Sequence, residues 1–147
     1  RLVPGYEAPI YVAWSATNRS PLIRIPVTRG AGTRVELRCP DPAANPYLVL
    51  AVCLEAGLDG IRNQITPPDA VTENVFEMQL PQRAKLGIES LPGDLEQAVE
   101  ELEKDDYIKN VLGGHITEKY LEAKKAEWAD YRAQVTEWEI EKYLYKI

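Results

Sequence analysis

The sequence contains little cysteine and little histidine. Among its 147 residues there are two cysteines, Cys39 and Cys53, and one histidine, His115. Two cysteines are too few for a disulfide framework, so we expect both to be small buried hydrophobic side chains in a protein of the reducing cytoplasm. A single histidine has no second histidine with which to share a metal ion, which favours a structural or exposed role for His115.

Long apolar runs and a net positive charge are also absent. No stretch of about 18 apolar residues occurs, so we expect no transmembrane helix and no membrane partner. The first residues do not have the basic and then apolar pattern of a secretory signal. The net charge is -6, and this acidic balance disfavours direct nucleic-acid binding. The hydrophobic fraction of 45% excludes wholesale disorder, and the length fits one domain.

Lysine is missing from the first half of the chain. Residues 1–70 contain 7 Arg, no Lys and 6 acidic residues, whereas residues 71–147 contain 10 basic and 17 acidic residues. Arginine has a rigid planar fork that binds carboxylates and phosphates with two hydrogen bonds, whereas lysine is a mobile point charge. The pattern therefore predicts an anion-binding site near the beginning of the chain and a solvated helical surface in the second half.

Short apolar segments punctuated by Pro and Gly predict strands over 10–14, 22–27 and 34–39. Asn45 followed by Pro46 predicts the start of a helix, which should continue to about Asn63. Residues 47–58 are apolar on every side except at Glu55, so we expect a buried helix. The predicted fold class is α+β, with mostly antiparallel strands of a partial barrel over 1–44 and a mainly helical region over 45–147.

The second half is predicted to contain one long connection and then helices. Residues 66–92 contain four prolines and little periodicity, which is typical of a connection. Asp94 and Gln97 have the spacing of a capping box that opens a helix over 94–104. A short helix should end at Gly113, and residues 117–147 should be helical with a bend at a second capping box that begins at Thr136.

Three charged residues share one face of the third predicted strand. Arg34, Glu36 and Arg38 alternate with apolar residues, so their side chains point to the same side. One interpretation is a solvated face of ion pairs. The other is a site for a polyphosphate, with the carboxylate holding a divalent metal ion, because Arg19 and Arg24 lie nearby in sequence and clustered guanidinium groups repel one another unless an anion separates them.

The opening loop also allows either a structural or a functional interpretation. Glu7 lies in a Pro- and Gly-rich segment that also carries Arg1. It is either an ordinary exposed carboxylate or a residue of a lid that closes over substrate.

The segments RLVPGYEAP, NRSPLIRIP, RVELRCPDPAANPYL and EAGLDGI occur in this order. In sequence and spacing they closely resemble the C-terminal part of type I glutamine synthetase, the bacterial glutamate–ammonia ligase. The resemblance is most specific over residues 1–63 and continues more loosely to the end of the chain. The N-terminal two thirds of the enzyme has no counterpart here, and the chain begins with Arg1 instead of Met, so we expect a fragment of the catalytic domain.

The resemblance implies roles for four residues around the amino-acid substrate. Arg1 and Arg38 match residues that hold glutamate. Arg19 matches the arginine that contacts both glutamate and the phosphoryl group during transfer. Glu7 matches the flap glutamate that closes the ammonium site and helps to deprotonate the nucleophile.

The resemblance also implies roles around the co-substrate ATP. Arg24 and Arg34, together with Arg19, match contacts to the nucleotide phosphates. Glu36 matches a carboxylate ligand of the second divalent metal ion, Mg²⁺ or Mn²⁺. The implied reaction forms γ-glutamyl phosphate from glutamate and ATP, and ammonia then displaces phosphate.

The resemblance further implies a dodecamer of two stacked hexameric rings, with a C-terminal tail that can engage a nitrogen regulator protein. One branch of the family is adenylylated on a tyrosine that corresponds to Phe76, which has no hydroxyl group, so we expect no such control. Other metal ligands belong to the part without a counterpart, so we expect the chain alone to be inactive. Two alternatives are an acidic helical interaction module without catalysis and a stand-alone nucleotide-binding protein.

Overall fold

A computed structural model of the chain describes residues 2, 8–144 and 146. The chain divides into two compact units, Arg1–Gly93 and Asp94–Ile147. A small sheet lies in the first unit and most helices lie in the second, which confirms the predicted α+β class. Within the described residues, no helix has the length and apolar character needed to span a membrane.

The sheet of the first unit has three short strands in the order β1-β2-β3. They are β1 (Trp14–Ser15), β2 (Ile23–Arg24) and β3 (Glu36–Leu37). The β1–β2 pair is parallel and the β2–β3 pair is antiparallel. The strands are shorter than predicted; proline has no N–H group to donate to a ladder, and Pro21 and Pro26 flank β2.

The hydrophobic core of the first unit joins the beginning of the chain to the long connection. Its buried members are Ile10, Tyr11, Val75, Met78 and Ile88. Tyr11 pairs with Ser90 in an isolated antiparallel bridge, and its ring lies 6.1 Å from the ring of Phe76. The connection is therefore packed against the first strand region and includes a short helix, α2 (Leu80–Lys85).

Helix α1 (Pro46–Arg62) begins where the sequence predicts, because the Asn45 side chain accepts hydrogen bonds from the backbone N–H groups of Tyr47 and Leu48. The prediction that this helix is buried is wrong, since none of its residues is buried. Tyr47, Leu50 and Leu54 are exposed by 83%, 69% and 64%. No other element of the described residues packs over the apolar face of α1. Apolar side chains that normally lie in a core therefore remain in contact with solvent.

The second unit consists of consecutive helices. They are α3 (Leu95–Lys104), α4 (Asp106–Leu112), α5 (Gly114–Arg132) and α6 (Glu137–Glu139), which continues into a π-helical segment, Ile140–Leu144. The Asp94 side chain caps α3, and the reciprocal capping box of Thr136 and Glu139 is present at α6, as predicted. Gly113 separates α4 from α5 with a φ of 78°, a left-handed conformation that glycine adopts at little cost.

Candidate functional site

Glu36 lies at the centre of an arginine–carboxylate cluster on the sheet. The antiparallel register places Arg24 of β2 directly opposite Glu36 of β3. The Arg24 Nη1 atom lies 3.1 Å from Glu36 Oε2, and the Arg34 Nη2 atom lies 2.7 Å from Glu36 Oε1. Both carboxylate oxygens therefore accept hydrogen bonds from guanidinium groups, and Oε1 accepts from both arginines.

The cluster fixes the charge state of the carboxylate. The hydrogen bond from Arg24 is the largest influence and holds the pKa of Glu36 below its ordinary value; burial opposes this shift, and Arg34 adds to it. The Glu36 side chain is 27% exposed, so solvent and small ions reach it. Glu36 is consequently an ionised, accessible carboxylate at neutral pH.

Arg24 has a hydrogen-bond donor that the described residues leave unused. Its Nε atom is buried and has no hydrogen-bond partner there. An unsatisfied buried donor is costly, and on a guanidinium group it suits an oxygen atom of an anion. The donor set at Arg24 therefore fits a phosphate or carboxylate oxygen beside Glu36.

Arg19 and Arg38 line a second feature of the first unit, a cavity of about 620 Å³. Its other lining residues are Thr17, Asn18, Ser20, Thr72, Asn74 and Phe76. The Arg38 Nη1 atom donates to the Pro21 carbonyl oxygen at 3.3 Å, which holds this guanidinium group against the loop that precedes β2. Among the described lining residues the charged groups are both cations, so the cavity suits a small anion.

The predicted site residues thus fall into two groups. Arg24, Arg34 and Glu36 contact one another, and Arg19 and Arg38 line one cavity. Glu36 and Arg38 are two residues apart at β3, and this short segment therefore contributes to both groups. Two further predicted residues, Arg1 and Glu7, lie outside the described residues.

The long connection also contributes to the cavity, which the sequence alone does not predict. Thr72, Asn74 and Phe76 line it although they are more than 50 positions away from Arg19. No local pattern in residues 72–76 indicates a site. Hydrogen bonds from the Val71 backbone N–H to the Trp14 carbonyl oxygen and from the Val75 backbone N–H to the Ser20 hydroxyl oxygen hold this segment there.

The described residues do not build a complete site for a divalent metal ion. No group of three or more His, Cys, Asp or Glu side chains with suitable placement occurs among them. Ions such as Mg²⁺ need several oxygen ligands, and Glu36 supplies one carboxylate that two arginines already occupy. A metal ion at Glu36 therefore requires ligands from outside the described residues.

The cysteine next to Arg38 is a free, half-buried thiol. Cys39 and Cys53 are both free and half-buried, so they are less buried than the sequence analysis predicts. Burial raises the pKa of the Cys39 thiol above its ordinary value, which keeps it protonated at neutral pH.

The comparisons with known proteins agree on one family. The family model described as glutamine synthetase, catalytic domain, matches residues 1–143. Glutamine synthetases of Clostridium saccharobutylicum and Thermotoga maritima are 56% and 57% identical to this chain, and each match covers 99% of the chain. In both cases the chain spans 33% of the relative's length.

A solved structure has a similar fold. The structure of a GmaS/ADP complex is 38% identical in sequence and matches with a TM-score of 0.78. The match covers 92% of this chain and 30% of that chain. The fold described above is thus similar to about a third of a larger protein.

Proposed function

This chain belongs to the glutamine synthetase family, and we propose that it forms the C-terminal portion of an ATP-dependent glutamate–ammonia ligase. The observation that carries the proposal is the cavity that Arg19 and Arg38 line. Two guanidinium groups on one cavity fit the carboxylates of glutamate and the phosphoryl group that it receives. We assign Arg38 to glutamate binding and Arg19 to both glutamate and the phosphoryl group, with Arg1 as a further glutamate contact.

The second group supports a nucleotide-phosphate site. The Arg24 Nε atom is a buried donor without a partner, and Arg34 is half exposed beside Glu36. In the proposal both guanidinium groups contact phosphate oxygens of ATP when it binds. The accompanying loss of their bonds to Glu36 would leave this carboxylate free to serve as one ligand of a Mg²⁺ or Mn²⁺ ion.

The metal site itself would be shared. The glutamine synthetase family implies the use of ATP and a divalent metal ion. Because Glu36 is a single carboxylate, the remaining oxygen or nitrogen ligands must come from other parts of the enzyme. This requirement supports the expectation that the chain alone is inactive.

The residues of this chain would act mainly through charge and position. In the first step the γ-carboxylate oxygen of glutamate attacks the terminal phosphorus of ATP, and ADP leaves. In the second step ammonia attacks the acyl carbon and phosphate leaves. Arg19 would stabilise the negative charge on the transferring group, which is the main catalytic effect in phosphoryl transfer. Glu7 is proposed to close the ammonium site and accept a proton from the nucleophile.

Several properties of the intact protein are proposed from the same family membership. We infer a dodecamer in the cytoplasm, with a C-terminal tail that can bind a nitrogen regulator. Phe76 has no hydroxyl group, so adenylylation at this position is not expected. The acidic interaction-module hypothesis is not favoured, since the catalytic-domain family model matches residues 1–143.

The test uses arginine variants in an active assembly of this chain with the preceding part of the Thermotoga maritima relative. Arg19→Ala should lower the rate of glutamate-dependent phosphate release by about 10³-fold or more, as for other arginines that contact a transferring phosphoryl group. The matched control is Arg132→Ala, since Arg132 is an exposed residue of α5 whose nearest carboxylate, Glu96, lies 3.8 Å away. A loss smaller than about tenfold for Arg19→Ala contradicts the role of Arg19.

A further inference from the structure

Arg19 lies between two residues whose side chains bind each other. The Asn18 Oδ1 atom accepts hydrogen bonds from the Ser20 backbone N–H at 2.8 Å and from the Ser20 hydroxyl at 2.9 Å. These two bonds close a tight loop around the backbone of Arg19. The Arg19 side chain is exposed, whereas Ser20 is only 3% exposed.

The same two residues attach this loop to the rest of the first unit. The Ser20 hydroxyl oxygen accepts a hydrogen bond from the Val75 backbone N–H at 2.9 Å, in a fully buried position. The Asn18 Nδ2 atom donates to the Glu73 carbonyl oxygen. The Asn18 backbone N–H donates to the hydroxyl oxygen of Ser15, a residue that is 1% exposed. The loop is thus anchored both to β1 and to the long connection.

The anchors connect two chain segments that both line the cavity. Asn18, Arg19 and Ser20 form one wall, and Thr72 and Asn74 belong to the segment that Asn18 and Ser20 bind. Removing either side chain leaves buried backbone groups without partners, which favours a rearrangement of the loop. A cation held in place before an anion arrives loses less conformational freedom on binding than a mobile one.

We propose that Asn18 and Ser20 are positioning residues for Arg19, which fix its backbone relative to segment 72–76 and so set the geometry of the anion cavity. The inference rests on the proposed function, in which Arg19 binds substrate carboxylate and phosphoryl oxygens. Neither residue is assigned a contact with the substrate itself, because the Asn18 Oδ1 and Ser20 Oγ atoms are engaged with each other and with the backbone.

The experiment measures backbone order and anion binding in the whole chain by NMR, with pyrophosphate as the probe. In the wild-type chain the Arg19 amide should have an order parameter near 0.85, and in Asn18→Ala it should fall below about 0.6. The Val75 amide should exchange faster in Ser20→Ala, and pyrophosphate affinity should fall about fivefold or more in both variants, as expected for a loss of preorganisation. Ser20→Thr keeps the hydroxyl group and should restore Val75 protection.

Controls separate this inference from the proposed function. Ser90→Ala removes a hydroxyl group at an exposed position outside the cavity and should change none of the three readouts. An Arg19 amide that stays fully ordered in both Asn18→Ala and Ser20→Ala overturns the positioning role. Unchanged pyrophosphate affinity in Arg19→Ala instead contradicts the anion-binding role of Arg19, and the order parameters still test the positioning. If the variants do not fold, the wild-type chain is decisive: unprotected Ser20 and Val75 amides overturn the proposal.

Discussion

Removal of the Asn45 cap should selectively loosen helix α1. The Asn45 Oδ1 atom accepts hydrogen bonds from the backbone N–H groups of Tyr47 at 3.0 Å and Leu48 at 3.3 Å. Asn45→Ala leaves both groups without this partner, at a cost of about 1 kcal/mol. Because RT is about 0.59 kcal/mol, the equilibrium constant for opening the helix should rise about fivefold.

The effect should be visible because α1 has few other sources of stability. The helix has 17 residues and none of them is buried. Isolated helices shorter than about 12–15 residues are marginal in water, α1 is only slightly longer, and most helices in proteins are stabilised by packing of an apolar face. In this chain the cap therefore contributes measurably to keeping α1 formed.

Hydrogen–deuterium exchange with mass spectrometry measures this directly. Peptides that cover residues 46–62 should exchange about fivefold faster in Asn45→Ala, while peptides of α3 are unchanged. Asp94→Ala is the matched control, because Asp94 caps α3 through the Gln97 backbone N–H at 2.8 Å and should accelerate exchange in α3 only. Equal exchange of α1 with and without the Asn45 side chain would show that the cap does not stabilise α1. Wild-type α1 amides as protected as those of the core around Val75 would show that the helix is packed.

Three further predictions concern the first unit. Met78 is 5% exposed in the core, so Met78→Ala should lower the free energy of unfolding by about 2–5 kcal/mol in urea titrations. A loss below about 1 kcal/mol would show that this core is not formed. The pKa of Glu36 is held below its ordinary value of 4.5, so the ion pairs of Glu36 stabilise the fold above pH 4.5. This stabilisation is lost as the pH falls through the lowered pKa. Wild type should therefore lose stability below about pH 4.5 more steeply than Glu36→Gln, and parallel pH profiles would contradict the cluster. Leu54 is 64% exposed on α1, so Leu54→Glu should change the free energy of unfolding by no more than about 0.5 kcal/mol. Exposed apolar patches favour association, so any self-association seen in light scattering should be weaker in this variant than in wild type. A strongly destabilised Leu54→Glu chain would mean that this face is packed.

Local chemistry was predictable from the sequence because it depends on neighbouring residues. The caps at Asn45, Asp94 and Thr136 are present because a side-chain oxygen and the N–H groups that it binds lie within three positions of each other. The alternation of charged and apolar residues at 34–39 likewise predicts β3 and its contact between Arg34 and Glu36.

Features that depend on distant parts of the chain were not predictable in this way. The apolar character of α1 indicates a helix that needs a cover, but not whether this chain supplies that cover, and the described residues do not. The separation of Arg38 from the Glu36 ion pairs follows from its bond to the Pro21 carbonyl oxygen. The wall that Thr72 and Asn74 add to the cavity depends on packing around Tyr11 and Val75, which no local spacing reveals.

Phosphate release that depends on glutamate, ammonium and Mg²⁺ tests whether this chain supplies part of a ligase active site. The assay compares this chain alone with the chain co-expressed with the part of the Thermotoga maritima glutamine synthetase that precedes its matched segment. We predict no turnover by the chain alone and turnover in the assembled sample, because Glu36 and the arginines form only part of the proposed site. Turnover by the chain alone would contradict the shared site, and a folded, stable assembly that releases no phosphate would contradict the proposed ligase function.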